Sequence, residues 1–384
     1  MKIHIITSSL LKSRRKMMAF TVFAILTPWQ LKAQDVFKGL ENLFTVPESY
    51  VVKHTGKAPV IDGDIDEQIW QQAKWTNDFV DIEGSLKPKP PLQTNVKMLW
   101  DDSCLYIAAR IYDPHVWAKL KNHDEVVYRE NDFELFVDPL NTGHQYYEIE
   151  VNALNTIFDL FLTKPYRNGG AAISGWDAPG LRSAVKVQGT LNNAGDKDKG
   201  WTVELAIPYK AINPGFRRTV PKNGTLWRIN FSRVEYDTSI QNGQYIKVKD
   251  EASGRDLPEH NWVWSAQGLI NMHYPERWGY LLFSDHEADD VVFEMPYAEL
   301  QKKYLWLIYY RQKEWYRQNH SYAQSLKELG LESGYSILKK FNNLQLEATK
   351  HQFMALINDE ENKITYTINQ DGFVEPLTTN HQTP

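Results

Sequence analysis

Gln145-Tyr-Tyr-Glu-Ile-Glu-Val-Asn-Ala153 alternates two kinds of side chain from end to end. In an extended strand successive side chains point to opposite faces, so Tyr147, Ile149, Val151 and Ala153 line one side while Tyr146, Glu148, Glu150 and Asn152 line the other. The first side predicts a core and the second a polar surface. The same division recurs at residues 201–207, where Trp201, Val203, Leu205 and Ile207 oppose Thr202, Glu204 and Ala206. At residues 132–138, Asp132, Glu134 and Asp138 share a side. Carboxylates repeated on one sheet face repel each other unless water, cations or polar ligands separate them. Such a face is either a wet binding surface or a solvated exterior, and periodicity does not choose between them.

Around these segments the chain from about residue 50 to 285 continues in short runs rich in β-branched and aromatic residues, broken by Gly, Pro, Asn and Asp. The clearest runs are 96–100, 104–112, 132–138, 145–153, 157–162, 184–191, 201–207, 226–235 and 278–283. Regular spacing without long intervening helices predicts an antiparallel β-sandwich of immunoglobulin-like or jelly-roll type. From residue 286 the pattern changes. Residues 297–319 carry Leu300, Tyr304, Leu307, Ile308 and Trp315 at near-helical spacing without Gly or Pro, which predicts an amphipathic helix. A second short helix is expected at 321–329, closed by Gly330, and a hairpin from 345–357 and 363–369 turning at 358–362. The helix stripe reads as a packing face, with a protein partner as the other use.

The 384 residues are 42% hydrophobic and 24% charged, the composition of a chain with enough apolar surface for a sizeable core. Residues 1–33 place Lys12, Arg14, Arg15 and Lys16 before an apolar run at 17–26, then Leu31-Lys-Ala33, the order of a signal peptide cleaved after Ala33. The expected location is secreted or periplasmic. Residues 34–49 read as a linker, 50–285 as the sandwich and 286–384 as a helix and hairpin region. Removing the leader takes the formal charge from −5 to about −11. An acidic surface argues against nucleic acid as a partner, and no stretch is apolar enough to span a membrane. The single cysteine, Cys104, excludes an internal disulfide.

Several pieces in order resemble carbohydrate-binding module family 9, a sandwich related to DOMON-type domains. They are Pro59-Val-Ile-Asp-Gly-Asp-Ile-Asp-Glu-Gln-Ile-Trp70, Val96-Lys-Met-Leu-Trp-Asp-Asp-Ser-Cys-Leu-Tyr-Ile107, Asn131-Asp-Phe-Glu-Leu-Phe-Val-Asp138 and Tyr146-Tyr-Glu-Ile-Glu-Val-Asn152. Gly200-Trp-Thr-Val-Glu-Leu-Ala-Ile-Pro208 and Trp264-Ser265 with Trp278-Gly279 follow. The resemblance implies a carbohydrate ligand gripped by two tryptophans, with a Glu and an Arg on adjacent strands bonding its hydroxyls. Here the Glu is Glu134, Tyr128 stands at the first tryptophan position and Glu150 at the Arg position. The second tryptophan falls at or near Met272, beside His273 and Tyr274. Trp176, in a Gly/Pro-rich loop with Asp177 and Arg182, is either a replacement platform or a plug for the sandwich end. The expected ligand-binding set is therefore Tyr128, Glu134, Glu150, Asn152, Trp176, Asp177, Arg182, His273 and Tyr274.

Asp62, Asp64 and Asp66 alternate as in a calcium loop but lack its Gly and distal Glu, so a turn is the other reading; Asp101-Asp102 reads as a hairpin turn, where relatives of this fold hold calcium. Glu134 and Glu150 suit a ligand rich in hydroxyl donors or a cation held between them. Glu134, Glu148, Glu150 and Glu204 supply enough acids for a glycoside hydrolase, the runner-up function. Met272, His273 and Met295 raise a haem-binding reading, against which adjacent strand residues point oppositely.

Overall fold

The computed structural model describes residues 36–213, 220–285, 291–359, 361 and 364–377; the expected leader and its cleavage point lie outside these. Residues 36–38 form a turn in a separate N-terminal unit, and Gly39–Pro384 form the second unit, described from here on. Its strands are β1 (Ser49–His54), β2 (Val80–Asp81), β3 (Thr94–Trp100), β4 (Cys104–Ile111), β5 (Asp132–Asp138), β6 (Tyr146–Asn152), β7 (Ile157–Leu162) and β8 (Ala172–Ile173). They continue as β9 (Arg182–Gln188), β10 (Gly200–Pro208), β11 (Leu226–Glu235), β12 (Thr238–Gln241), β13 (Gln244–Lys247), β14 (His260–Val263) and β15 (Gly279–Ser284).

The main path runs β8-β7-β6-β5-β11-β15-β1-β3-β4-β10-β9, with β14 and β2 branching from β11. It folds over on itself as a mainly β sandwich, because alternate residues of both halves meet in one core. Phe133, Leu135, Val137, Ile149 and Val151 pack in the same cluster as Val96, Met98, Ile107, Val203 and Leu205. The period-2 reading thus identifies the inward face of each strand. Two pairings, both of β1, depart from the antiparallel expectation: it runs parallel to β15 and to β3. The segment read as a linker supplies a one-turn helix at Glu41–Phe44 and the start of β1.

The Asp-Gly turn is tied to β10 by a buried carboxylate. Glu204 on β10 is buried, and its Oε2 accepts from the amides of Asp62 (3.0 Å) and Gly63 (2.7 Å) while Oε1 accepts from Trp70 Nε1 (2.6 Å). Gly63 has a φ of +87°, and a Cβ there would lie 2.9 Å from the amide of Lys186. Glu204→Ala strands three donors, and urea denaturation is expected to show a loss of about 2–3 kcal/mol. A loss below about 0.5 kcal/mol would remove this anchoring role.

The C-terminal region differs from expectation in two places. The helix α1 (Tyr297–Asn319) has the bounds its periodicity predicts. Residues 321–329 form turns: Ser325 and Glu328 exchange hydrogen bonds as at a helix start, yet Gly330 at φ +70° follows at once and no helix develops. The expected hairpin is part of a five-stranded sheet, β16 (Gly334–Ile337), β17 (Lys340–Ala348), β18 (Phe353–Asp359), β19 (Ile364–Asn369) and β20 (Val374–Pro376), in that order. Residues 349–352 break the 345–357 run into two strands.

Residues 305–310 of α1 are buried all round. One side meets the small sheet, where Gln301 Nε2 donates to Asn342 Oδ1 (2.8 Å). The other meets the sandwich through Glu299, Tyr309 and Tyr310. Of the apolar stripe, Leu307 and Ile308 are buried, on a helix packed against β18 and β19, whereas Leu300, Tyr304 and Trp315 are half-buried. No helix among the described residues is long and apolar enough to cross a membrane.

Candidate functional site

The polar face of β5 and β6 gathers its acids at the centre of the sheet. Register sets Glu134 opposite Glu150, Asp132 opposite Asn152 and Phe136 opposite Glu148, and Ser232 of β11 lies opposite Glu134. Asp132, Glu134, Glu148, Glu150 and Ser232 are all buried. A solvated exterior is therefore excluded for this face. The cover comes from the segments before β5 and before β15: Val127, Met272 and Trp278 join Phe136, Tyr146, Phe158 and Leu160 in a second apolar cluster.

Burying like charges together has a direct electrostatic result. Two unit charges about 4 Å apart repel by about 4 kcal/mol at an effective dielectric of 20. Burial pushes the Glu134 carboxyl up to about 7 and that of Glu148 up to about 8. Asp132 and Glu150 are raised well above the carboxylate range, by burial first and by neighbouring carboxylates second.

Two tyrosines stand at the rim. Tyr128 is 44% exposed, on the turn ahead of β5, and its amide donates to Glu150 Oε2 (3.1 Å). Tyr166 is 43% exposed, on the turn after β7, and its hydroxyl is held up by burial and by the charges of Glu148 and Glu150. His273 lies between the rim and the cover, its ring 4.5 Å from that of Tyr166 and its Nδ1 2.9 Å from the Tyr146 hydroxyl. Burial pushes its imidazole down to about 4, so it is neutral at pH 7.

The other expected residues divide. Asn152 is on the face but saturated: Nδ2 donates to Leu120 O and Glu130 Oε1, and Oδ1 accepts from the amides of Leu154 and Thr156. Tyr274 has one ring face occupied by the Arg167 guanidinium at 3.8 Å. Trp176 packs at 4.8 Å on Tyr147, whose side chain points into the sandwich core, away from the acids. It plugs the sandwich end and does not wall the acid face. Asp177 joins His123, Asp124 and Asp159 in a separate group, and Arg182 opens β9 at the end of the other layer.

Four of the five cation candidates in the turns have partners of their own. Asp62 and Asp64 accept from backbone amides two residues on, and Asp64 pairs with Lys186 at 2.8 Å. Asp101 caps its own hairpin through Ser103 and Cys104, and Asp102 faces His54. The haem ligands also part: Met272 packs in the apolar cover, His273 faces Tyr146, and Met295 lines a groove beside α1 with Tyr280 and Trp306.

The match that bears on this face covers most of the sandwich. The family model described as carbohydrate family 9 binding domain-like matches residues 61–265. The chain belongs to this family. Its family 9 domain is 29% identical over 204 residues to endo-1,4-beta-xylanase A of Thermotoga neapolitana, which is 53% of this chain and 16% of that enzyme. A second endo-1,4-beta-xylanase A, from Thermoanaerobacterium saccharolyticum, is 28% identical over 186 residues, 48% of this chain and 13% of the enzyme. The match thus spans less than a fifth of these relatives' length. Among solved structures, a family 9 module from Caldicellulosiruptor kristjanssonii in complex with cellotriose aligns with 64% of this chain and 100% of its own, at 19% identity and a TM-score of 0.39. A putative carbohydrate-binding protein from Bacteroides uniformis aligns with 62% of this chain and 100% of its own, at 16% identity and a TM-score of 0.46.

Sequence reading missed Tyr166 of this family 9 domain. It follows β7 in Thr163-Lys-Pro-Tyr-Arg-Asn-Gly169, a Pro/Gly-flanked turn of the same kind that drew attention to Trp176. The signal was present but Tyr166 was the smaller ring.

Proposed function

We propose that the acid face binds a carbohydrate, with the rings of Tyr128 and Tyr166 as apolar walls and the carboxylates of Glu134 and Glu148 accepting hydroxyl hydrogens. The observation that carries this reading is the pair of half-exposed tyrosines at the rim of a carboxylate cluster, in a family of carbohydrate-binding domains. Tyrosine supplies a flat apolar face for a sugar ring and a hydroxyl for its edge. A carboxyl oxygen accepts, and a carboxyl raised to about 7 or 8 also carries a proton to donate, which suits a ligand of hydroxyl groups that do both.

The role is accessory to polysaccharide breakdown. Its support is that the matched segments are small parts of xylanases. The leader pattern at residues 1–33 supports export to the periplasm or beyond.

Calorimetric titration with cello- and xylo-oligosaccharides tests the reading. Tyr128→Ala and Tyr166→Ala are each expected to weaken binding about tenfold, the equivalent of about 1.4 kcal/mol of stacking. Trp176→Ala is expected to leave affinity within twofold. Equal affinity in wild type and both tyrosine variants would remove the site. Release of reducing sugar that depends on Glu134 would favour the hydrolase instead.

A further inference from the structure

Asp132, Glu134 and Glu150 each offer an oxygen within 4.8 Å of the other two, and their residues are 0, 5 and 0% exposed. No basic side chain pairs with them among the described ion pairs; Arg233, on the same strand as Ser232, alternates to the other face and pairs with Glu235 at 2.7 Å. The neighbourhood also holds donors and acceptors without partners. Both oxygens of Asp132 and Oε1 of Glu150 make no hydrogen bond, and neither do Oε2 of Glu148 and Oγ of Ser232 just outside the triad. Ser232 is fully buried and lies opposite Glu134, so its hydroxyl faces the same space. Buried polar groups are nearly always satisfied, and five unpaired oxygens on one face mark the place of something they would surround.

We propose that Asp132, Glu134 and Glu150, with Ser232 and Glu148 beside them, form a binding site for a divalent cation of the calcium class. A positive ion removes the mutual repulsion of the carboxylates and supplies each unpaired oxygen with a partner. The donors are all oxygen and include neither histidine nor sulfur, which selects against zinc and copper. The enclosure disfavours magnesium, which gives up its water reluctantly, and suits calcium, which takes six to eight oxygens in flexible geometry. The site is that of the proposed sugar recognition, but the inference does not depend on it.

The test uses the full chain, stripped with EDTA and titrated with calcium by calorimetry and thermal melting. Wild type is expected to bind about one ion and to gain about 5–10 °C in Tm at calcium a hundredfold above Kd. Glu150→Gln keeps an acceptor for the Tyr128 amide. It is expected to melt at or above the stripped wild type and to lose at least three quarters of the calcium response. Asp159→Asn, in the separate His123, Asp124, Asp159 and Asp177 group, is expected to keep the response in full. Absence of heat and of a Tm shift in wild type overturns the proposal, as does an unchanged shift in Glu150→Gln. Should Glu150→Gln fail to fold, elemental analysis of wild type dialysed against calcium decides: about one ion per chain supports the site and none overturns it. Sugar titration in calcium and in EDTA separates the two readings. Sugar binding without any calcium response dismisses the ion alone, and calcium binding without sugar binding supports the ion while dismissing the carbohydrate.

Discussion

Arg228→Ala is expected to cost about 3–5 kcal/mol of stability and about 10 °C in Tm, with the C-terminal helix loosening most. Arg228 on β11 is buried and donates to Glu299 Oε2 (3.0 Å), the Tyr280 hydroxyl (2.6 Å), the Trp278 carbonyl (2.9 Å) and Asn141 Oδ1 (3.2 Å). Its guanidinium also lies 3.6 Å over the Tyr280 ring. Glu299 sits in the first turn of α1, so one fork joins the helix to β11, β15 and the turn after β5. Removing the fork leaves a buried carboxylate with Lys302 as its remaining cation, at 2.8 Å. Arg228→Lys keeps the charge but not the fork and should fall between the two. Hydrogen exchange in α1 should accelerate in both variants; a loss below about 1 kcal/mol would remove the anchoring role. A pH dependence follows from the same group. Neighbouring Lys302 and Arg228 outweigh burial and hold the Glu299 carboxyl down at about 2, against an ordinary 4.5. A depressed acid contributes its stability in full above 4.5 and loses it as pH falls toward 2. Wild type should therefore lose stability through that window more steeply than Glu299→Gln.

Arg167→Ala is expected to cost a similar 3–5 kcal/mol and, in addition, to weaken any ligand held by Tyr166. Arg167 grips both oxygens of buried Glu276 (2.8 and 2.9 Å) and donates to the His273 carbonyl (2.7 Å) and the Tyr309 hydroxyl (3.3 Å). Tyr310 donates to the same Glu276. Tyr166 precedes Arg167 directly, and its ring rests on His273. The pair therefore fixes one wall of the acid face to the helix behind it. Tyr166→Ala should reduce sugar affinity with less than about 1 kcal/mol of destabilisation, whereas Arg167→Ala should do both. Full affinity in a folded Arg167→Ala protein would show that the wall needs no such brace.

Much of the architecture was legible because it rests on local period. Residues 132–138, 157–162 and 226–235 and the helix at 297–319 have the bounds their alternation predicts. β1 was not, since a strand of Ser-Tyr-Val-Val-Lys-His paired parallel to two partners far along the chain leaves no local mark. The β12–β13 hairpin did leave one, Asn242-Gly243, with φ of +52° and +76°. At the site, the shared face of Glu134, Glu148 and Glu150 followed from counting by twos. That the face is buried did not, because its cover comes from Val127, Met272 and Trp278 in irregular segments. Trp176 shows the converse: a loop position says a large ring has a special use, but only packing on Tyr147 says which.

The parallel seat of β1 between β15 and β3 also orders events in time. A ribosome releases β1 first, yet one of its two neighbours is the last strand of the sandwich, more than 220 residues later. Non-local pairings of this kind are slow and leave edges open while they wait. Closure of the sheet is thus postponed until residue 284 has emerged, and until then the waiting edges of β1 need protection from aggregation.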